Sequence, residues 1–158
     1  MDLTGSQRIE APRDEVWRAL NDPEVLRQCI PGCQELTQAS PTEFTAKVVL
    51  KIGPMKATFA GAVTLSELEP PSGCVITGEG QGGVAGFARG GAKVWLVEEE
   101  AATILNYEAQ VKVGGKIAQL GARLIDSTAK KLAGEFFGAF GRVVAPQAAP
   151  EADEAAAQ

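Results

Sequence analysis

The chain has 158 residues, a length that suits one domain built on one sizeable core. Hydrophobic residues make up 45% and charged residues 22%, and a net charge of −5 without a basic patch argues against nucleic acid as a partner. Histidine is absent, which removes the Ser-His-Asp triad, the Cys-His dyad and most zinc sites, so catalysis here would rest on carboxylates, Lys, Tyr or Cys.

The opening residues, MDLTGSQRIEAPRDE, do not read as a signal peptide, and no stretch approaches the ~20 apolar residues of a membrane span. Three cysteines, Cys29, Cys33 and Cys74, are an odd number and fit a reducing compartment. The expectation is a cytoplasmic protein.

Residues 2–10 are a strand candidate that Ala11-Pro12 breaks. Pro12 suits the first turn of a helix and Asp14 and Glu15 suit its positive end, so a short helix is predicted over 12–21, with Val16, Trp17 and Leu20 facing inward. Asp22-Pro23 starts a second short helix through about residue 28, which Pro31-Gly32 ends. The apolar period then changes to two. Phe44, Ala46, Val48, Leu50 and Ile52 alternate with their neighbours, as do Met55, Ala57, Phe59, Gly61, Val63 and Leu65 after the Gly53-Pro54 turn. Residues 74–80 give a third strand. The glycine-rich 78–91 reads as a loose or bulged segment; as a phosphate cradle it lacks the strand-to-helix turn of a dinucleotide fingerprint. Two further strands follow, around Ala92, Val94 and Leu96, and around Leu105, Tyr107, Ala109, Val111 and Val113.

A long helix is predicted over 115–141, with Ile117, Leu120, Gly121, Leu124, Ile125, Thr128, Leu132 and Phe136 on one face. The remaining 142–158 is rich in Ala, Pro and acid, and is expected to be a disordered tail. The fold class is therefore α+β: a curved antiparallel sheet whose apolar face the C-terminal helix covers, with two short helices after the first strand.

Two stretches, DPEVLRQCIPGCQEL from Asp22 and VGGKIAQLGARLID from Val113, resemble the signature segments of the carbon monoxide dehydrogenase CoxG-type family, in the START-like (SRPBCC) superfamily. The resemblance covers about residues 1–140. It implies a helix-grip fold with a deep apolar cavity, in a non-enzymatic accessory to a molybdenum hydroxylase such as carbon monoxide dehydrogenase. It also implies a bound quinone, no covalently bound cofactor, and a link to the membrane electron-transport chain through peripheral contact at the inner face of the cell membrane. Some members add a membrane-binding segment after a linker; this chain is expected to have the linker-like tail without an apolar anchor.

Ala57, Gly61, Ala92, Ala109 and Gly121 are small and predicted inward. Two readings stand: they let the helix sit tightly on the sheet, or they leave a cavity. In the second, Phe44, Phe59, Tyr107, Leu120, Leu124 and Phe136 line a pocket for a flat apolar ligand. Tyr107 is then the polar handle for a quinone carbonyl, or else an ordinary core tyrosine. Phe87 gates the entrance or pins its loop. Ile30 and Pro31 close the cavity mouth, where CIPGC lacks the partners of a metal site. Trp95 and Ile104 on the outer sheet face are either a cross-strand pair or a partner-docking patch. Lys131 and Glu135 read as a solvated pair on the helix rim. Two other functions remain: a START-like enzyme acting on a lipophilic substrate, with Tyr107 as its acid, or an assembly factor whose cavity is empty.

Overall fold

The structure, a computed structural model, describes residues 1–145. Strand β1 (Asp2–Ile9) leads into helices α1 (Arg13–Leu20) and α2 (Pro23–Cys29). Pro12 is extended before α1, Asp14 and Glu15 occupy the first turn, and Val16 is fully buried. At α2 the Asp22 carboxylate accepts the Glu24 N–H at 2.9 Å, and Pro23 fills a first-turn position where its missing N–H matters least.

Six strands follow: β2 (Cys33–Ser40), β3 (Glu43–Ile52), β4 (Met55–Glu69), β5 (Gly73–Gln81), β6 (Phe87–Glu99) and β7 (Ala102–Gly114). With β1 they form one antiparallel sheet in the order β1-β7-β6-β5-β4-β3-β2. Strand β2 is an addition to the elements that periodicity predicts. It is an edge strand with register shifts between Cys33 and Glu35 and between Gln38 and Ser40, so it carries no clean period of two. The glycine-rich segment is strand through Gln81 and again from Phe87, around a short 3-10 turn at Gly83–Ala85. Most of its glycines sit in the ladder rather than in a loop.

Helix α3 (Ala122–Val144) crosses the inner face. It starts later than expected. Gly115–Leu120 is a 3-10 turn, and Gly121 breaks the path with φ 96° and ψ 149°, a conformation open essentially to glycine. The helix also ends later than residue 141: Val143 and Val144 pack on the core, so 142–144 belong to the helix. The rest of the expected tail, 146–158, lies outside the described residues.

The C-terminal half of α3 sits in the main core. Phe140, fully buried, meets Ile9, Val16, Val94, Leu96 and Leu105. Burying such a ring contributes roughly 1.5–3 kcal/mol. Phe136 stacks on Phe140 at 5.7 Å and meets Phe137 edge-on at 5.1 Å. The Thr103 hydroxyl, fully buried, donates to the Ala11 carbonyl at 2.7 Å and ties β7 to the turn before α1. A smaller cluster of Phe59, Ala85 and Ile117 caps the opposite end, where the end of β3, the start of β4 and both 3-10 turns meet. The two clusters hold the helix and its approach at both ends. This is the helix-grip arrangement, and it decides what lies between.

Candidate ligand-binding cavity

A cavity of about 250 Å³ lies under the N-terminal half of α3. Ile125, Thr128, Ala129 and Leu132, spaced on one helix face, form its roof. Val48, Leu50 and Ile52 of β3 and Phe59 of β4 form one wall; Val111 and Val113 of β7 form another, with Ile117 at the end. Thr128 contributes the only hydroxyl among these side chains.

The floor is nearly bare backbone. At Gly80 and Ala88 the cavity joins a trough of about 380 Å³ that continues over Gly78, Gly90, Ala92 and Ala109. These small residues do not serve tight helix packing. A Cβ added at Gly80 would meet only Phe59 Cβ at 3.8 Å and the Ala60 carbonyl at 3.9 Å; at Gly78 it would meet only Val63 Cγ2 at 3.5 Å and the Ala62 carbonyl at 3.6 Å. Those are ordinary contacts within the sheet, and no helix atom comes near. Space, not steric necessity, lies above Gly78 and Gly80. Cavity and trough together fall within the ~300–1,000 Å³ usual for ligand pockets.

The cavity opens into a vestibule of about 720 Å³ with which it shares Met1, Val111, Val113 and Ile125. The vestibule adds Lys112, Ala118, Ala122, Arg123 and Asp126. The mouth therefore lies between the start of β1, β7 and the first turns of α3. It does not lie at Ile30 and Pro31, which follow α2 and line neither cavity nor vestibule.

The residues expected to bind ligand fall into distinct places. Phe59 is in the cavity wall, and Ala92 and Ala109 are in the trough. Phe44 is buried elsewhere, with Leu65 and Cys74. Ala57 packs on the Phe59–Ile117 cluster. At Gly61 a Cβ would press the Glu79 carbonyl at 3.2 Å, so strand approach accounts for that glycine. Tyr107 and Phe136 belong to the packed core: the Tyr107 ring stacks on Phe137 at 5.2 Å. The Tyr107 hydroxyl lies over Gly5, where a Cβ would come within 2.6 Å of it.

Three further expectations need correction. Gly121 is exposed, and a Cβ there would meet nothing within 4 Å; it is the break before α3, not part of its inner face. Leu120 ends the 3-10 turn before the break at Gly121, and Leu124, one helical turn before Thr128, packs on Gly53 of the β3–β4 turn instead of lining the cavity. Phe87 is not a gate over the cavity: its ring lies against Gly114, with the Arg89 guanidinium 5.6 Å from its centroid, and it pins the β5–β6 turn.

On the outer face Trp95 stands opposite Asn106, and Ile104 opposite Val97, which is 48% exposed. Lys93 Nζ lies 5.9 Å from the Trp95 ring centroid. Lys131 and Glu135 are both exposed. Cys29, Cys33 and Cys74 are free thiols, and burial pushes each above the ordinary thiol range; Arg142 opposes this at Cys29 and Arg27 at Cys33.

Signals for the missed lining were present. Ile125, Thr128 and Leu132 fall on the inward stripe, and Gly78, Gly80, Ala88 and Gly90 keep a period of two through what reads as a loop.

Residues 5–145 match the family model of CoxG, a subunit of carbon monoxide dehydrogenase. The chain belongs to the CoxG family. Its fold is similar to a conserved protein from Geobacillus kaustophilus, with 28% identity and a TM-score of 0.87 over 92% of this chain and 96% of that one. It is also similar to TTHA0849 from Thermus thermophilus (14% identity, TM-score 0.68, 91% of this chain and 97% of that one). A third likeness is to the Zhui aromatase/cyclase from Streptomyces sp. R1128 (12% identity, TM-score 0.62, 91% and 93%). No curated protein matches the chain. The CoxG family match and these neighbours agree on a START-like helix-grip domain. Among the described residues, no helix is long and apolar enough to cross a membrane.

Proposed function

We propose that this chain is a non-enzymatic carrier that holds a lipophilic small molecule in the cavity under α3 and serves a molybdenum hydroxylase such as carbon monoxide dehydrogenase. The ligand that family membership favours is a quinone, exchanged with the membrane electron-transport chain through peripheral contact from the cytoplasmic side. The observation that carries the reading is the unfilled space above Gly78 and Gly80, since a close-packed interior would have placed side chains there. Thr128 lines the cavity whereas Tyr107 stacks in the packed core, which supports Thr128 as the hydroxyl that would meet a carbonyl of the ligand. Trp95, Ile104 and the exposed Val97 offer a surface for docking on the partner enzyme.

A second reading, catalysis on a lipophilic substrate, is favoured by the likeness to an aromatase/cyclase. It would have to work within hydrocarbon walls with one hydroxyl at Thr128, which supports the carrier reading instead.

The test is organic extraction of the purified protein followed by mass spectrometry, beside Gly80→Leu, which fills the floor. A stoichiometric isoprenoid quinone that the variant lacks supports the carrier. A wild type that is empty and takes up no added quinone sinks it and leaves a docking or assembly role.

A further inference from the structure

We infer that the end of the domain built from the β3–β4 turn, the two 3-10 turns and the first turn of α3 is a docking surface for an anionic lipid bilayer. This deepens the peripheral contact proposed above by naming the face and the lipid chemistry that make it.

Packing brings these segments together. Ile117 of one 3-10 turn and Ala85 of the other are buried in one cluster, and Ile52 and Met55, on either side of the Gly53-Pro54 turn, pack against it. Leu124 of α3 closes on Gly53. Around this convergence stand Lys51, Lys56, Lys116 and Arg123, all exposed. The chain that supplies this end carries no Asp or Glu over residues 44–66, 80–97 or 109–125. None of the four cations has an ion-pair partner among the described residues. Of the carboxylates that border the end, Asp126 pairs with Lys130 at 3.1 Å, Glu79 stands across the ladder from Arg89, and Asp2 stands across from Gln110.

The opposite end is the reverse. Glu67 and Glu69 lead into the β4–β5 turn, and Glu98, Glu99 and Glu100 make the β6–β7 turn. Cations there are neutralised: Arg8 donates to Glu10 at 2.6 Å and to Glu99 at 3.0 Å. A chain of net charge −5 thus has its charge sorted along the strands, with one positive pole. Sheet stability does not account for that pole. Lys51 and Lys56 face each other on one rung of the β3–β4 hairpin, an arrangement that disfavours the strand pair.

An apolar tip sits at the same pole. Val84, in the 3-10 turn at Gly83–Ala85, is 78% exposed, more than any other large hydrophobic side chain among the described residues. Pro54 is exposed at the turn beside it. An aliphatic tip among lysines is the pattern of an interfacial anchor: the side chain enters the headgroup boundary while ammonium groups meet lipid phosphates. Single-stranded nucleic acid would want free aromatic rings for its bases, but Phe59 is buried and the Phe87 ring lies against Gly114. A bilayer also suits the cavity. Ile117 lines the cavity and belongs to this end, and Ala118, Ala122 and Arg123 border the vestibule. Docked by this face, the vestibule opens beside the phase in which a lipophilic ligand dissolves.

The experiment is sedimentation of the full chain with vesicles of phosphatidylcholine alone or of phosphatidylcholine and phosphatidylglycerol in equal parts. Wild type should partition to the anionic vesicles, weakly to the neutral ones, and less to both as salt is raised. Lys51→Gln/Lys56→Gln/Lys116→Gln should weaken partitioning to the anionic vesicles by roughly thirty- to a hundredfold, and Val84→Ser by about five- to tenfold. Arg18→Gln/Lys93→Gln/Lys131→Gln removes the same charge elsewhere and should weaken it far less. The inference is overturned if wild type ignores both vesicles, which leaves an acidic protein as the partner of this end. It is equally overturned if the first triple variant binds as wild type does, or if both triple variants lose binding alike. Uptake of Nile red, a neutral apolar dye, is read separately without vesicles and should be the same in every variant. Dye uptake without vesicle binding sinks this surface and leaves the cavity reading; vesicle binding without dye uptake does the opposite.

Discussion

The two halves of α3 present the same spacing to the same sheet and meet opposite surroundings. Toward the C-terminus the stripe carries Phe136, Phe137 and Phe140, and the facing rungs pair Val94 with Tyr107 and Leu96 with Leu105. That end is close-packed. Toward the N-terminus the stripe carries Ile125, Thr128, Ala129 and Leu132, and the sheet offers Ala92 opposite Ala109, with Gly90, Ala88, Gly80 and Gly78 beyond. That end is hollow. The change falls within single strands, between Ala92 and Val94 on β6 and between Tyr107 and Ala109 on β7. Side-chain size at matched positions, not a change in secondary structure, makes the cavity. The phenylalanine end supplies the rigidity that lets the other end stay open.

If that contrast is right, truncation should be far more damaging in the packed half. Phe140→Ala should lower unfolding free energy by about 3–5 kcal/mol, whereas Leu132→Ala, which enlarges a space already present, should cost under about 2 kcal/mol. Denaturant midpoints measure both, and equal losses would break the comparison. Gly5→Ala should cost about 1–3 kcal/mol, because the new methyl displaces Tyr107 from its stack on Phe137; a thermal melt and the near-ultraviolet signal of tyrosine report it.

The sharpest contrast uses one substitution twice. Ala139→Phe, in the packed half, should cost about 1–3 kcal/mol by overpacking, while Ala129→Phe should stay within about 1 kcal/mol of wild type and abolish dye uptake. A large stability loss for both would mean the hollow end is not hollow. A loss of about 1 kcal/mol is expected for Thr103→Val, which leaves the Ala11 carbonyl without its buried donor; a guanidinium titration resolves it.

Most of the fold could be read from periodicity, because β1 and β3 to β7 place apolar residues on one face of a half-wet sheet. Strand β2 could not, since CQELTQAS lies at the edge with two irregularities and buries no regular face. The start of α3 was obscured for a different reason: Ile117, Leu120 and Leu124 keep a helical spacing across a break that only the backbone of Gly121 reveals. The existence of a cavity was legible as a surplus of small inward residues, but its location was not. Large aromatic residues drew attention to Phe44, Tyr107 and Phe136, which fill space, while the lining residues are conspicuous mainly for what they lack.

Because one unbroken helix both roofs the cavity and anchors the core, occupancy and folding are thermodynamically linked. A molecule that binds beneath Ala129 adds RT ln(1 + [L]/Kd) to the stability of the whole domain, ~2.7 kcal/mol at a hundredfold excess over Kd. For a domain of this size that corresponds to a rise of several degrees in melting temperature. Ligand loss from the cavity would then be felt at Phe140, at the far end of the helix, as a lower resistance of the entire fold to unfolding.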